Sequence, residues 1–124
     1  MANTAIAFDV PDLAVRIEQV SQAQLNQLTF GVILLDHEGI VRFFNTTEAR
    51  LSDFGTAPLG QKFFEEPLCV KKREIQTRIT RAMENGPVDL DFGWKGDHAD
   101  PKRDLRIRVQ SSRNGGVWMF IARD

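Results

Sequence analysis

The strongest constraint on the fold is an alternation of apolar and polar residues in the C-terminal third of the chain. Residues 88–94 and 105–110 each carry an apolar side chain at every second position. A period of two is typical of a β-strand with one buried face. Residues 117–122 carry bulky apolar side chains at both odd and even positions, which predicts a last strand that is covered on both faces. The turn-forming residues 113–116 join the last two strands as a hairpin.

The first half of the chain predicts a second hairpin and a helical connection. Residues 30–36 form a continuous apolar run, residues 37–39 a tight turn and residues 40–45 a returning strand. A short helix then begins at Thr46, capped by Asn45 or by Thr46 itself. A second short segment covers residues 59–64. A longer helix covers 71–84, where apolar residues recur at helical spacing before Asn85, Gly86 and Pro87 end it.

The order strand, strand, helices, strand, strand, strand predicts an α+β domain with a five-stranded antiparallel sheet. The central helices would cover one face of the sheet. Two short amphipathic helical segments near the N-terminus would cover the other face. We therefore predict an N-terminal helical cap over residues 1–28 and a domain over residues 29–124. The basic residues on the late strands are expected to form a solvated sheet face.

Composition and motifs exclude several functional classes. The chain has 124 residues and a formal net charge of −1, which argues against a binder of nucleic acid or of anionic membrane surfaces. A membrane-spanning helix needs about 20 consecutive apolar residues, and no apolar run in the sequence is nearly that long. The N-terminus does not resemble a signal peptide. A cytoplasmic location is the expectation. No standard catalytic motif is present, so an enzyme is not expected.

Two side chains are candidates for chemistry. Cys69 is the only cysteine, which excludes an internal disulfide and a cysteine-cluster metal site. It is either a small packed residue or a thiol activated for covalent attachment by a helix N-terminus and nearby basic residues. Glu48 either complements the dipole of its helix or faces a pocket, where desolvation favours its neutral form.

The order of elements resembles the PAS fold, and particular residues resemble the photoactive yellow protein family. The similarity extends over almost the whole chain and rests on the joint spacing of several short motifs. These are Phe30-Gly31, Leu35-Asp36, Gly39, Asn45, Glu48, Gly60, Phe63-Phe64, Cys69 and Trp118-Met119-Phe120.

The resemblance implies a blue-light photoreceptor. In that family p-coumaric acid is held as a thioester on a cysteine, which corresponds to Cys69. A glutamic acid, here Glu48, hydrogen-bonds the phenolate and gives it a proton after light isomerises the double bond. The buried charge left behind drives partial unfolding and signalling. Ser52 corresponds to a supporting threonine. The cap would be the moving part, since we expect it to cover a sheet face with few contacts.

The chain departs from the family at several positions around this site. Phe44 stands where the family has a tyrosine that also hydrogen-bonds the phenolate, and Phe54 stands where it has a shielding arginine. Leu68 replaces a proline before the cysteine. The loop 96–100 lacks the family's aromatic residue and methionine, although Trp94 keeps an aromatic side chain just before it.

These departures leave two hypotheses about the function open. One is the photosensor with its chromophore on Cys69. The other is a PAS signalling or interaction module without a chromophore, which binds another small ligand or a protein partner. In both readings the downstream partner is a signalling protein that the sequence does not identify. The oligomeric state stays open between a monomer and a homodimer that pairs through the cap.

Overall fold

The fold was analysed in a computed structural model, which describes residues 6–51, 58–65, 71–96 and 100–123, with only the backbone at 65, 71 and 72. It contains a sheet with helices on both faces. The helices are α1 (Leu13–Ile17), α2 (Gln22–Leu25), α3 (Thr46–Leu51) and α4 (Lys71–Glu84), with a 3-10 turn at Phe63–Glu65. The strands are β1 (Gly31–Leu35), β2 (Val41–Phe44), β3 (Asp89–Lys95), β4 (Asp104–Ser111) and β5 (Val117–Arg123).

The sheet has five antiparallel strands in the order β2-β1-β5-β4-β3. The two hairpin regions predicted from the sequence meet where β1 pairs with β5, with Gly31 opposite Ile121 and Leu35 opposite Val117. The first and last strands of the chain are therefore neighbours in the centre of the sheet. The predicted α+β class and five-stranded antiparallel sheet are confirmed.

The last strand separates two apolar cores, as its side chains at odd and even positions predicted. Val117, Met119 and Ile121 pack with α4 and the 3-10 turn, whereas Trp118 and Phe120 pack with α1 and α2. Antiparallel partners share a face, so this parity assigns each strand residue to one face of the sheet or the other. We call the first the helix-side core and the second the cap-side core.

The cap is bound by buried polar side chains as well as by apolar contacts. Arg108 on β4 donates to the carbonyl oxygens of Phe8 (2.6 Å) and Val10 (2.7 Å) and more weakly to that of Pro11 (3.3 Å). Gln110 on the same strand donates to the Pro11 carbonyl and accepts from the amide of Ala14 at 2.8 Å. These bonds satisfy backbone groups at the start of α1.

Two expectations about this face need correction. A solvated basic face is the wrong description for Arg108, which is only 5% exposed, whereas the side chains of Lys95 (65%) and Arg106 (48%) are exposed as expected. The cap does not rest on few contacts, since it contributes Leu13, Ile17 and Leu25 to the cap-side core. Strand periodicity shows which residues share a face, but not what covers that face. The boundary between residues 28 and 29 stays a prediction.

Replacing Arg108 with methionine is expected to loosen the cap while the sheet stays folded. Methionine keeps most of the apolar volume but removes the bonds to the three cap carbonyls. Hydrogen bonds to charged groups contribute about 1.5–3 kcal/mol, so amide exchange in α1 should accelerate at least tenfold. Hydrogen-exchange mass spectrometry measures this. Arg16→Met is the matched control, since Arg16 lies on α1 with a side chain 57% exposed. Equal protection of α1 in both variants would contradict the role of Arg108.

Candidate functional site

The candidate site lies at the start of α3, and Asn45 positions it. Asn45 is fully buried, and its Oδ1 accepts from the amides of Val32 (3.0 Å) and Glu48 (2.9 Å). Its Nδ2 donates to the carbonyls of Leu25 (2.8 Å) and Phe30 (3.2 Å). The side chain thus caps α3, as predicted, and joins it to β1 and to the cap. It uses both its donors and its acceptor in doing so.

Glu48 projects from the first turn of α3 over the beginning of β1 and is only 3% exposed. Gly31 makes this approach possible, because a Cβ atom at that position would overlap the Glu48 carboxylate. The glycine of the Phe30-Gly31 pair therefore leaves space for a buried charged group. The sequence had suggested that Glu48 either complements the dipole of its helix or faces a pocket, and its buried position in the first turn of α3 is compatible with both.

The carboxylate of Glu48 has a partner that sequence reasoning missed. Arg123, the last residue of β5, donates from its two terminal nitrogens to Oε1 at 2.7 Å and to Oε2 at 2.9 Å. Both side chains are only 4% exposed. Strand parity could have indicated this contact, because Gly31 pairs with Ile121 and Arg123 is the next residue of β5 on the same face. The pair is a bidentate, charge-assisted contact.

Two further predicted site residues lie on opposite edge strands. Phe44, on β2, is buried in the helix-side core opposite Ile33 and so shares the face of Gly31. Trp94, on β3, is half-buried beside Phe92, with ring centroids 6.3 Å apart. The guanidinium of Arg78 lies over these two rings. Phe44 therefore lies on the same face of the sheet as Glu48. Trp94 lies on the edge strand at the other side of the sheet.

The remaining predicted site residues, Cys69, Ser52 and Phe54, lie outside the described residues, as does Leu68. Their roles stay predictions. The segments that carry them precede and follow the 3-10 turn, where Phe63 and Phe64 pack edge to face at 5.1 Å. Phe63 is buried in the helix-side core.

The site can accept hydrogen bonds inside an apolar layer. Each carboxylate oxygen offers about two lone-pair directions, so a carboxylate already bound by an arginine can accept another donor. The ring of Phe44 offers no hydroxyl group.

The antiparallel sheet in the order β2-β1-β5-β4-β3, with helices between its two hairpin regions, defines a PAS domain. No protein-family model matches the chain. It is similar to the photoactive yellow protein of Halochromatium salexigens, with 28% identity over 95% of this chain and 97% of that protein. It is also similar to that of Rhodothalassium salexigens, with 25% identity over 95% and 97%.

A comparison with solved structures also indicates a PAS domain. The photoactive yellow protein domain of the sensor histidine kinase Ppr from Rhodospirillum centenum superimposes with a TM-score of 0.70 and 26% identity. The match covers 86% of this chain and 96% of that domain. The chain thus has the PAS fold and is similar to photoactive yellow proteins over nearly its whole length, as its sequence motifs predicted. Within the described ranges, no helix has the length and apolar character needed to cross a membrane.

Proposed function

We propose that this protein is a photosensor that carries p-coumaric acid as a thioester on Cys69. The observation that carries the proposal is the buried carboxylate of Glu48, in the layer that also contains Phe44 and Phe63. A buried charged group is costly unless it serves a structural pair or a ligand, and such groups concentrate at functional sites. Similarity to photoactive yellow proteins over 95% of the chain supports the same conclusion.

The bound group would supply light absorption and a double bond that isomerises. The chain's own residues would supply its surroundings. Cys69 would provide the thiolate that forms the thioester, and Glu48 would hydrogen-bond the phenolic end and serve as its proton donor. Phe44 and Phe63 would exclude water from the apolar layer, which strengthens the polar contacts inside it. The protein would act without enzymatic turnover, as a cytoplasmic sensor that signals by contact with another protein.

A second candidate function is a PAS signalling module without a chromophore. The observation that favours it is the Glu48–Arg123 pair, because both charges are already compensated by the protein itself. In that case the layer would be a structural core or would hold another small ligand. The cap-side face and the sheet would still serve a signalling partner or a second copy of the chain. The two functions differ in whether Cys69 accepts an acyl group.

The deciding experiment is acylation with an activated ester of p-coumaric acid. We expect wild-type protein to gain one coumaroyl group by intact-mass analysis and to develop a near-ultraviolet or visible band that bleaches under light. Cys69→Ser should lose both. Cys69 is the only cysteine, so wild-type protein alkylated beforehand is a chemical control that changes no residue. No adduct on wild-type protein, or an equal adduct on Cys69→Ser, would refute the photosensor and favour the chromophore-free module.

A further inference from the structure

The two edges of the sheet differ in what covers them. On β2, the amide of Val41 donates to the carbonyl of Gln61 at 2.9 Å, and the amide of Gly60 donates to the carbonyl of Val41 at 2.8 Å. On β3, at the opposite edge, no segment within the described ranges pairs with the outer side of the strand. This strand is seven residues long, and its register with β4 has no bulge. Such an edge strand is a template for pairing with another chain.

The outward backbone groups of β3 follow from its hydrogen bonds to β4. The amide of Ser111 donates to the carbonyl of Val88 at 3.2 Å. The amide of Gly96 donates to the carbonyl of Arg103 at 2.7 Å. Bonded residues alternate along an antiparallel pair, so the even-numbered residues of β3 bond to β4 and the odd-numbered residues direct their amides and carbonyls outward. The outward residues include Asp89, Asp91 and Gly93, to which no backbone group of another segment bonds in the described part of the chain.

We propose that β3 pairs antiparallel with β3 of a second copy of this chain, about a two-fold axis at Phe92. In that register all residues of the strand have an opposite residue, and the outward groups of the odd-numbered residues meet as hydrogen-bonded pairs. The two five-stranded sheets then form one continuous sheet, with the helices of both copies on the same side. The strand is complementary to itself, with the opposite pairs Asp89–Lys95, Leu90–Trp94, Asp91–Gly93 and Phe92–Phe92.

On the helix side, the pairing covers apolar side chains that are only half-buried in a single copy. Leu90, Phe92 and Trp94 lie on this face, and all three are half-buried. Phe92 would meet its own copy at a position without hydrogen bonds, where opposite side chains approach most closely. The guanidinium of Arg78 lies 4.7 Å from the centre of the Phe92 ring and holds the ring beside the edge. Opposed aromatic side chains of this kind stabilise a sheet.

On the cap side, the register brings no like charges together. Asp91 is bonded to Arg106 at 2.7 Å, and Gly93 opposite it has no side chain that would displace this ion pair. Lys95, which pairs with Asp104 of its own chain at 3.0 Å, would face a residue of opposite charge. Moving the axis by one residue, to Asp91, would instead place two carboxylates directly opposite each other, which is destabilising. This self-complementarity favours a second copy over another extended peptide.

Sedimentation equilibrium of the full chain tests the proposal. Edge pairing alone buries little surface, so we expect a weak dimer, with an average mass that rises over the micromolar to millimolar range. Gly93→Pro removes an outward N–H group without removing a bond to β4, and it should raise the dissociation constant at least about tenfold. Gly93→Ala is the matched control, because it keeps the N–H group. Its added Cβ atom would lie 3.9 Å from the Leu105 carbonyl oxygen, an ordinary contact, so the dimer should persist.

Two results of this experiment would overturn the proposal. One is a mass that stays monomeric at millimolar concentration. The other is a dimer that Gly93→Pro leaves intact, which would favour pairing through the cap. Circular dichroism establishes that each variant is folded. The interface does not involve Cys69 or Glu48, so its failure would leave the photosensor proposal unchanged.

Disulfide trapping tests the register and does not need the proline variant to fold. In Cys69→Ser protein, which has no other thiol, Phe92→Cys would place two Cα atoms about 4.5 Å apart across the axis, within the range of a disulfide. Leu90→Cys is the control on the same face, since its own copy would lie about 14 Å away along the strands. With copper–phenanthroline to oxidise the paired thiols, Phe92→Cys should form a covalent dimer on non-reducing gels and Leu90→Cys should not. Equal crosslinking of both, or none with Phe92→Cys, would refute the paired edge.

Discussion

Replacing Arg123 with methionine is expected to lower the free energy of unfolding by about 3–5 kcal/mol, because it leaves the Glu48 carboxylate buried without its partner. The carboxylate would either stay charged in an apolar layer or take up a proton, and both outcomes cost free energy. The bidentate contact at 2.7 and 2.9 Å, with both side chains 4% exposed, gives this variant one of the two largest effects that we expect in the molecule. Urea denaturation measures it.

The double variant Glu48→Leu with Arg123→Met distinguishes an ion pair from a packing role. Replacing both charges with apolar groups of similar volume removes the unpaired charge, so the double variant should be more stable than Arg123→Met alone. Arg42→Met is the surface control, since Arg42 is 53% exposed and should cost at most about 1 kcal/mol. If the losses of Arg123→Met and Glu48→Leu simply add in the double variant, the two side chains are not energetically coupled.

Replacing Asn45 with aspartate is expected to destabilise the protein by about 3–5 kcal/mol, although the two side chains have nearly the same shape. Aspartate can still accept from the amides of Val32 and Glu48, but it cannot donate to the carbonyls of Leu25 and Phe30. Two buried acceptors lose their partner and face a negative charge instead, and each unsatisfied group costs about 1–3 kcal/mol. Because Leu25 belongs to the cap, thermal denaturation and exchange in α2 should both respond.

Asn26→Asp is the control for this prediction. The Oδ1 atom of Asn26 accepts from the amide of Thr46 at 2.9 Å, and aspartate keeps that bond in an exposed setting. A carboxylate at the start of α3 also interacts favourably with the helix dipole. We therefore expect a change within about 0.5 kcal/mol. Equal effects of the two substitutions would show that the donors of Asn45 are not what joins the cap to the sheet.

The elements themselves were predictable because their signals are local. The alternation in residues 88–94 and 105–110 became β3 and β4, and the helical spacing over 71–84 became α4 with the same bounds. Asn45 and Thr46 were the two predicted caps of the short helix, and the structure assigns the role to Asn45. The split of β5 between two cores followed from its bulk at both odd and even positions.

The partners of the buried charges were not predictable in the same way. Arg108 was expected in solvent, yet it binds carbonyl groups about 100 residues away in sequence. The sequence indicated no partner for Glu48, and in the structure Glu48 contacts Arg123 across a separation of 75 residues. Charged residues on a strand carry the same local signal whether they are solvated or covered, so their burial depends on what the rest of the chain places above them.

The sequence by itself therefore determined the order of the elements, the two apolar faces of the last strand and the resemblance to one family of sensors. These follow from the period of consecutive residues and the spacing of short motifs, which need no knowledge of distant contacts. Only the tertiary structure decided that the cap is bound through Arg108 and that Glu48 is paired with Arg123. Those pairings arise because β5 lies beside β1 and the N-terminal segment covers β4, which brings together groups far apart along the chain.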